Sequence, residues 1–148
     1  MKIPFQCSAL LLALAFAPAI HADQPVPQRR LTPAEIVALG GAPAPGVHMS
    51  ALVGDSTRPG LYSVRVSIPA HTRVPPHTHR DNRAVLVLSG TWHMGYGEHF
   101  ASDALKALPA GSFYTEPAGQ AHFAETQDEP VVILVTGYGP SDTHMLPR

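Results

Sequence analysis

Pro75-Pro76-His77-Thr78-His79, continued through Arg83 to Gly90, sets two histidines one residue apart on an extended segment. Side chains alternate across a strand with period two, so both imidazoles face the same way. His122 closes a second segment that opens at Gly111 and would complete a facial set of three nitrogen ligands. Neutral imidazole is a common ligand of Zn, Fe, Ni and Cu, and three of them leave one or more coordination positions open for water or substrate. The expectation is therefore that His77, His79 and His122 hold one divalent ion (Fe, Zn, Ni or Mn) inside a small β-barrel. Pro75 and Pro76 fix φ on the approach to His77. Pro117-Ala-Gly119 reads as a turn in which glycine supplies a positive φ and aims His122 back into the barrel.

A lone histidine on a strand is more often an ordinary polar residue than a ligand; the spaced third histidine is what favours metal. His71, His93, His99 and His144 are read as surface groups or as groups behind the ligands. His93 is the best of them, since it follows Gly90 on a strand expected to line the barrel.

Outward from this core the pattern is that of an all-β chain. His48 to Val53 can be a strand, Gly54 to Gly60 is a loop, and Leu61-Tyr-Ser-Val-Arg-Val-Ser-Ile68 alternates apolar and polar residues. Ala84 to Leu88, Thr91 to Tyr96, Gly111 to Thr115, His122 to Ala124 and Val131 to Val135 supply further strands, and Ala101 to Leu108 reads as one helical turn. Many short strands divided by Gly and Pro turns argue for a jelly-roll sandwich or barrel. Thr32-Pro33-Ala34-Glu35 reads as a helix start, with Thr32 as N-cap and Glu35 closing a capping box, and Gly40-Gly41 as its stop. This short N-terminal helix is expected to pack on the outside of the barrel.

Residues 1–22 read as a secretory signal peptide: Lys2, an apolar run from Leu10 to Phe16, then small residues. The run is shorter than the about 20 apolar residues of a membrane span. Cleavage is expected after Ala22, with Ala17-Pro18-Ala19 as the other site; a retained anchor is the alternative reading. The single cysteine, Cys7, leaves with this segment, so neither a disulfide nor thiolate chemistry is expected in the mature chain. Without Lys2, nine basic residues face eleven acidic ones, a formal charge of minus two. No basic tract suggests nucleic acid, or a membrane after signal cleavage. The expected organisation is signal peptide 1–22, leader and short helix 23–46, and one β-barrel domain 47–148, in a periplasmic or secreted protein.

His77-x-His79 with Arg83 and Gly90 resembles the first motif of the cupin superfamily, and Gly111-x5-Pro117-x-Gly119-x2-His122 resembles the second. The chain departs from the family at His71, where a glycine is usual, at Arg83, where a glutamate ligand is usual, and at Thr126, where an asparagine is usual. The resemblance implies a single-domain cupin jelly roll and a homodimer. It permits an iron-dependent, dioxygenase-like enzyme, or zinc or nickel hydrolase, lyase or isomerase chemistry, on a small and anionic molecule. A non-catalytic module that holds a metal or ligand in the periplasm is the alternative.

Arg83 stays protonated and cannot ligate a cation. It can bind a substrate carboxylate in a bidentate way; or Asp81, Glu98 or Glu116 can take the fourth metal position; or Arg83 can pair with an acid in the wall of a barrel without metal. Arg83, His93 and Tyr96 are the candidate catalytic residues, the last two as acid-base groups. Tyr62, Tyr114 and Trp92 are candidates for the core or the pocket lining.

Overall fold

A computed structural model describes residues 24–40 and 45–147. The expected signal peptide lies outside the described residues. The described chain is one short helix, α1 (Pro33–Leu39), and ten strands: β1 (His48–Val53), β2 (Gly60–Ile68), β3 (Arg73–Thr78), β4 (Arg83–Ser89), β5 (Thr91–Tyr96), β6 (Lys106–Pro109), β7 (Phe113–Glu116), β8 (His122–Glu125), β9 (Val131–Gly139) and β10 (His144–Met145). They form two antiparallel five-stranded sheets, ordered β1-β2-β9-β4-β7 and β10-β3-β8-β5-β6, in a jelly roll. Among the described residues no helix is long and apolar enough to cross a membrane.

Period-two alternation builds the core. Val66 and Ile68 of β2, Val85 and Val87 of β4, and Val131, Ile133 and Val135 of β9 point inward from the first sheet. Trp92, Met94 and Ala124 meet them from the second. Burying each of the larger aliphatic side chains stabilises by about 1.5–3 kcal/mol. Helix α1 buries no residue, and its capping box forms as its sequence predicts, Thr32 and Glu35 each accepting from the other's backbone N–H. Its end at Gly40 lies so near Ser50 of β1 that a Cβ there would sit 2.7 Å from the hydroxyl.

Two local expectations are corrected. The residues 101–108 do not form a helical turn throughout: a single 3₁₀ turn at Ser102–Ala104 gives way to β6, whose Leu108 pairs with Trp92 and is buried. Sheet pairing and burial of Leu108 override the helical preference of Ala and Leu. The prolines before His77 do not merely lead into a strand but lie inside β3. Prolines cannot donate to a ladder; here the register with β8 shifts between Val74 and His77, so the ladder passes them by. Thr126 closes the start of this strand: its hydroxyl donates to the Pro69 carbonyl at 2.6 Å and accepts the Thr72 N–H at 2.8 Å.

Candidate metal centre

His77 lies near the end of β3, His79 just beyond it, and His122 opens β8 directly opposite His77 in register. The turn that delivers His122 has Gly119 at φ 73°, and the Gly119 N–H donates to the His79 carbonyl at 2.7 Å, which ties the two loops together. All three imidazoles are buried. Their Nδ1 atoms sit 2.8 Å from the Pro75 carbonyl, 2.6 Å from that of Asp142 and 3.2 Å from that of Gln120. A carbonyl only accepts, so each Nδ1 carries the proton and each Nε2 keeps its lone pair. Such outer hydrogen bonds fix the tautomer and orientation of metal-binding histidines. Burial lowers the pKa of His77 and His122 and pushes that of His79 down to about 4, so the rings are neutral near pH 7.

One ring nitrogen of each histidine lies within 4.8 Å of the others. Three points so spaced share a centre within about 2.8 Å (4.8/√3), and small side-chain movements bring this to the 2.0–2.1 Å of a metal–imidazole bond. The Nε2 of His122 is buried with no hydrogen-bond partner. An orphaned lone pair close to the Nε2 atoms of two further neutral imidazoles is what a soft-to-borderline divalent cation satisfies, so these residues fit a metal ion.

Behind the histidines stands a buried charged network. Glu116 ends β7 with one carboxylate oxygen 3.5 Å from His79 Nε2 and the other 3.5 Å from His122 Nε2. Arg83 opens β4 and is paired with Glu116 in register. Its guanidinium lies 3.5 Å from Glu116 and 3.5 Å from Asp81, and donates to the Ser141 hydroxyl and, at 3.1 Å, to the Asp142 carbonyl. The Tyr62 hydroxyl donates to Asp81 at 2.5 Å, and burial with this bond pushes its pKa up to about 12. Trp92 donates to the Tyr114 hydroxyl at 3.0 Å, and Tyr114 donates to Glu116 at 3.2 Å. Burial raises the pKa of Glu116, opposed chiefly by Arg83, and holds that of Tyr114 well above its ordinary value.

The histidines, Arg83, Glu116 and Tyr114 form the polar end of a cavity of about 230 Å³. Its other walls are apolar, with Val66, Ile68, Met94, Ile133 and Val135 among them. Of the candidate catalytic residues, Arg83 alone lines it, and its guanidinium is already engaged by two carboxylates, a hydroxyl and a carbonyl rather than open for a substrate carboxylate. His93 lies outside the cavity: Trp92 and Met94 take the inward positions of β5, so alternation turns His93 to the outer face, in a hollow with Thr91 and Asp128. Tyr96 shares the parity of Trp92 but is exposed, and its hydroxyl donates to the Thr115 carbonyl at 2.5 Å. Glu98 lies in an outer groove with Phe100, and His71, His99 and His144 are exposed. Of the alternative fourth ligands, only Glu116 touches the histidines; Asp81 is held by Tyr62 and Arg83. Glu116 carries no parity signal toward His77, because parity relates residues within one strand, whereas β7 and β3 belong to different sheets and Glu116 is paired in register with Arg83.

A jelly roll that turns three imidazoles to the end of an apolar cavity defines a small barrel able to hold one metal ion. The chain belongs to the ChrR cupin-like family, whose domain matches residues 35–142. Among solved structures it is similar to the polyketide cyclase RemF from Streptomyces resistomycificus (TM-score 0.63, 16% identity, covering 82% of this chain and 87% of that one). It is similar also to the DMSP lyase DddQ from Ruegeria pomeroyi (0.53, 22%, covering 76% and 56%). A mutant salicylate 1,2-dioxygenase from Pseudoaminobacter salicylatoxidans, in complex with gentisate, matches at 0.57 and 14% identity, covering 71% and 30%. The chain spans about half the length of the lyases and under a third of that of the dioxygenase. At these identities the likeness is one of fold. No curated protein matches.

Proposed function

We propose that this protein is an exported mononuclear metal enzyme of small-molecule chemistry, oxygenase or related, with His77, His79 and His122 as ligands. The observation that carries it is the set of three neutral imidazoles, each fixed through Nδ1, at the polar end of an apolar cavity. A bound divalent ion would polarise an oxygen of the substrate or acidify a bound water, and iron would add redox chemistry. The cavity is below the roughly 300–1,000 Å³ of drug-sized sites, which restricts the substrate to a small molecule. The valines, isoleucines and Met94 would hold its apolar body and exclude water, while its anionic group turns toward the histidines. With Arg83 engaged, the charge that draws an anion is that of the metal site. Tyr114 keeps its proton and donates it in a hydrogen bond to Glu116.

A homodimer is supported by the outer face of the first sheet, where Leu86 stands between Leu134 and Phe113 in one row, with Leu86 and Phe113 exposed. Such a row of apolar side chains suits burial against a second copy.

Elemental mass spectrometry of the mature protein, purified without chelators, tests the reading. We expect about one equivalent of metal, lost in His77→Ala and His122→Ala. Iron would direct oxygen-consumption assays toward small carboxylates and diketones. Metal bound without turnover of any such compound would favour the non-catalytic binding module. No metal after reconstitution with iron, zinc, nickel and manganese would overturn both.

A further inference from the structure

The contact between Glu116 and the histidines is unlike an ordinary hydrogen-bonded pair. Each Nδ1 is committed as a donor to a backbone carbonyl, so each neutral ring offers only a lone pair at Nε2. A carboxylate oxygen also offers only lone pairs. At His79 and His122 two acceptors therefore face one another across 3.5 Å, which is repulsive unless a positive centre lies between them. The distance itself is informative. It is longer than a hydrogen bond, yet two ligand atoms about 2.1 Å from one ion stand about 3.0 Å apart at a right angle and about 3.4 Å apart at the tetrahedral angle. Glu116 meets two of the three histidines at close to this spacing. Its Oε2, like His122 Nε2, is buried without a hydrogen-bond partner.

Charge leads to the same residue. Three neutral imidazoles leave the full double charge of a divalent ion uncompensated in a site of low dielectric. Asp81 and Arg83 offset one another, while Glu116 is the carboxylate turned toward the histidines. Tyr114 donates to Glu116 from one side and Arg83 flanks it on another, so the carboxylate is oriented before any ion arrives.

We propose that Glu116 is the fourth protein ligand of the metal, delivered from β7, across from the Arg83 with which it is paired in register. Arg83 is then a positioning residue that holds Glu116 and Asp81 in place. The inference rests on the reading that His77, His79 and His122 bind a metal ion. It makes the centre a three-histidine, one-carboxylate site in which the carboxylate comes from the strand just before the Pro117 turn. The partner it assigns to this carboxylate is a divalent cation, and the remaining positions stay open for substrate.

Cobalt(II) reports the ligand set through its visible absorption, so the test titrates cobalt and zinc into the metal-free parent, Glu116→Gln and His77→Ala. Circular dichroism verifies that each variant is folded. The expected result is a one-equivalent cobalt spectrum in the parent, its loss in His77→Ala, and in Glu116→Gln a changed spectrum with zinc affinity weakened at least about 10-fold, the low end of what even an outer supporting group contributes. Parent-like affinity and spectrum in Glu116→Gln would overturn the inference while leaving the histidine site standing. Absence of cobalt binding by the parent, or its persistence in His77→Ala, would instead overturn the histidine reading and the inference with it. Should Glu116→Gln not fold, the infrared difference spectrum of the parent on zinc addition decides: carboxylate stretching bands that do not move would refute a carboxylate ligand.

Discussion

Replacing Arg83 by methionine probes the network that the whole site leans on. The substitution keeps much of the apolar stem and deletes a guanidinium that lies 3.5 Å from both Asp81 and Glu116. Both carboxylates are buried, at 7% and 6% exposure, so solvent cannot take over the role of the lost cation. Removing one partner of a buried ion pair costs about 3–5 kcal/mol. Because two carboxylates share this guanidinium, the upper half of that range is expected near pH 7 in metal-free protein. For a domain of this size the loss corresponds to a fall in Tm of roughly 10–20 °C. The sign of its pH dependence follows from Glu116. Burial already raises its pKa and Arg83 is the chief opposing influence, so the variant's Glu116 takes up a proton at higher pH. The deficit should therefore shrink toward acid and grow toward neutrality. Urea unfolding followed by the fluorescence of Trp92, from pH 5 to 8 with a chelator present, measures this. A variant within about 0.5 kcal/mol of the parent across that range, the scatter of ordinary surface substitutions, would refute the claim that Arg83 holds the two acids in place.

In the metal-free parent the unfolded chain binds protons at its histidines near pH 6.5, whereas folded His79 does so only near 4, and His77 and His122 also below their ordinary value. The folded pKa values being depressed, stability is full above about pH 6.5 and declines as pH falls toward 4, by up to about 1.4 kcal/mol per pH unit for each histidine. Glu116, with a raised pKa, opposes this as a single group, so urea midpoints under chelation should still drop; a flat profile would contradict the burial of the imidazoles. His93→Ala should leave metal content unchanged in elemental analysis, because the side chain faces outward, and loss of metal would return it to the site. Gly137→Ala would put a Cβ 2.5 Å from the Tyr62 hydroxyl and 2.8 Å from Asp81, and thermal unfolding should report about 1–3 kcal/mol of overpacking.

What could be read along the chain was whatever depends on one segment at a time. His77 and His79 share a face because strands alternate, and the glycine and proline spacing before His122 predicts the turn that aims it inward. The outward turn of His93 was legible by the same rule, since Trp92 and Met94 flank it as the apolar positions of β5. Two features lay beyond such reading. The prolines of β3 argue against a strand, and only the shift of register against β8 makes room for them. The partner of Arg83 is set by the pairing of β4 with β7, a relation between strands distant in sequence. Parity names the face on which a side chain stands, but register names what stands beside it. A charged residue found where a ligand was expected should therefore be judged by its cross-strand neighbour. In this barrel that neighbour is Glu116, and its contacts with His79 and His122 place at the site the carboxylate that position 83 does not supply.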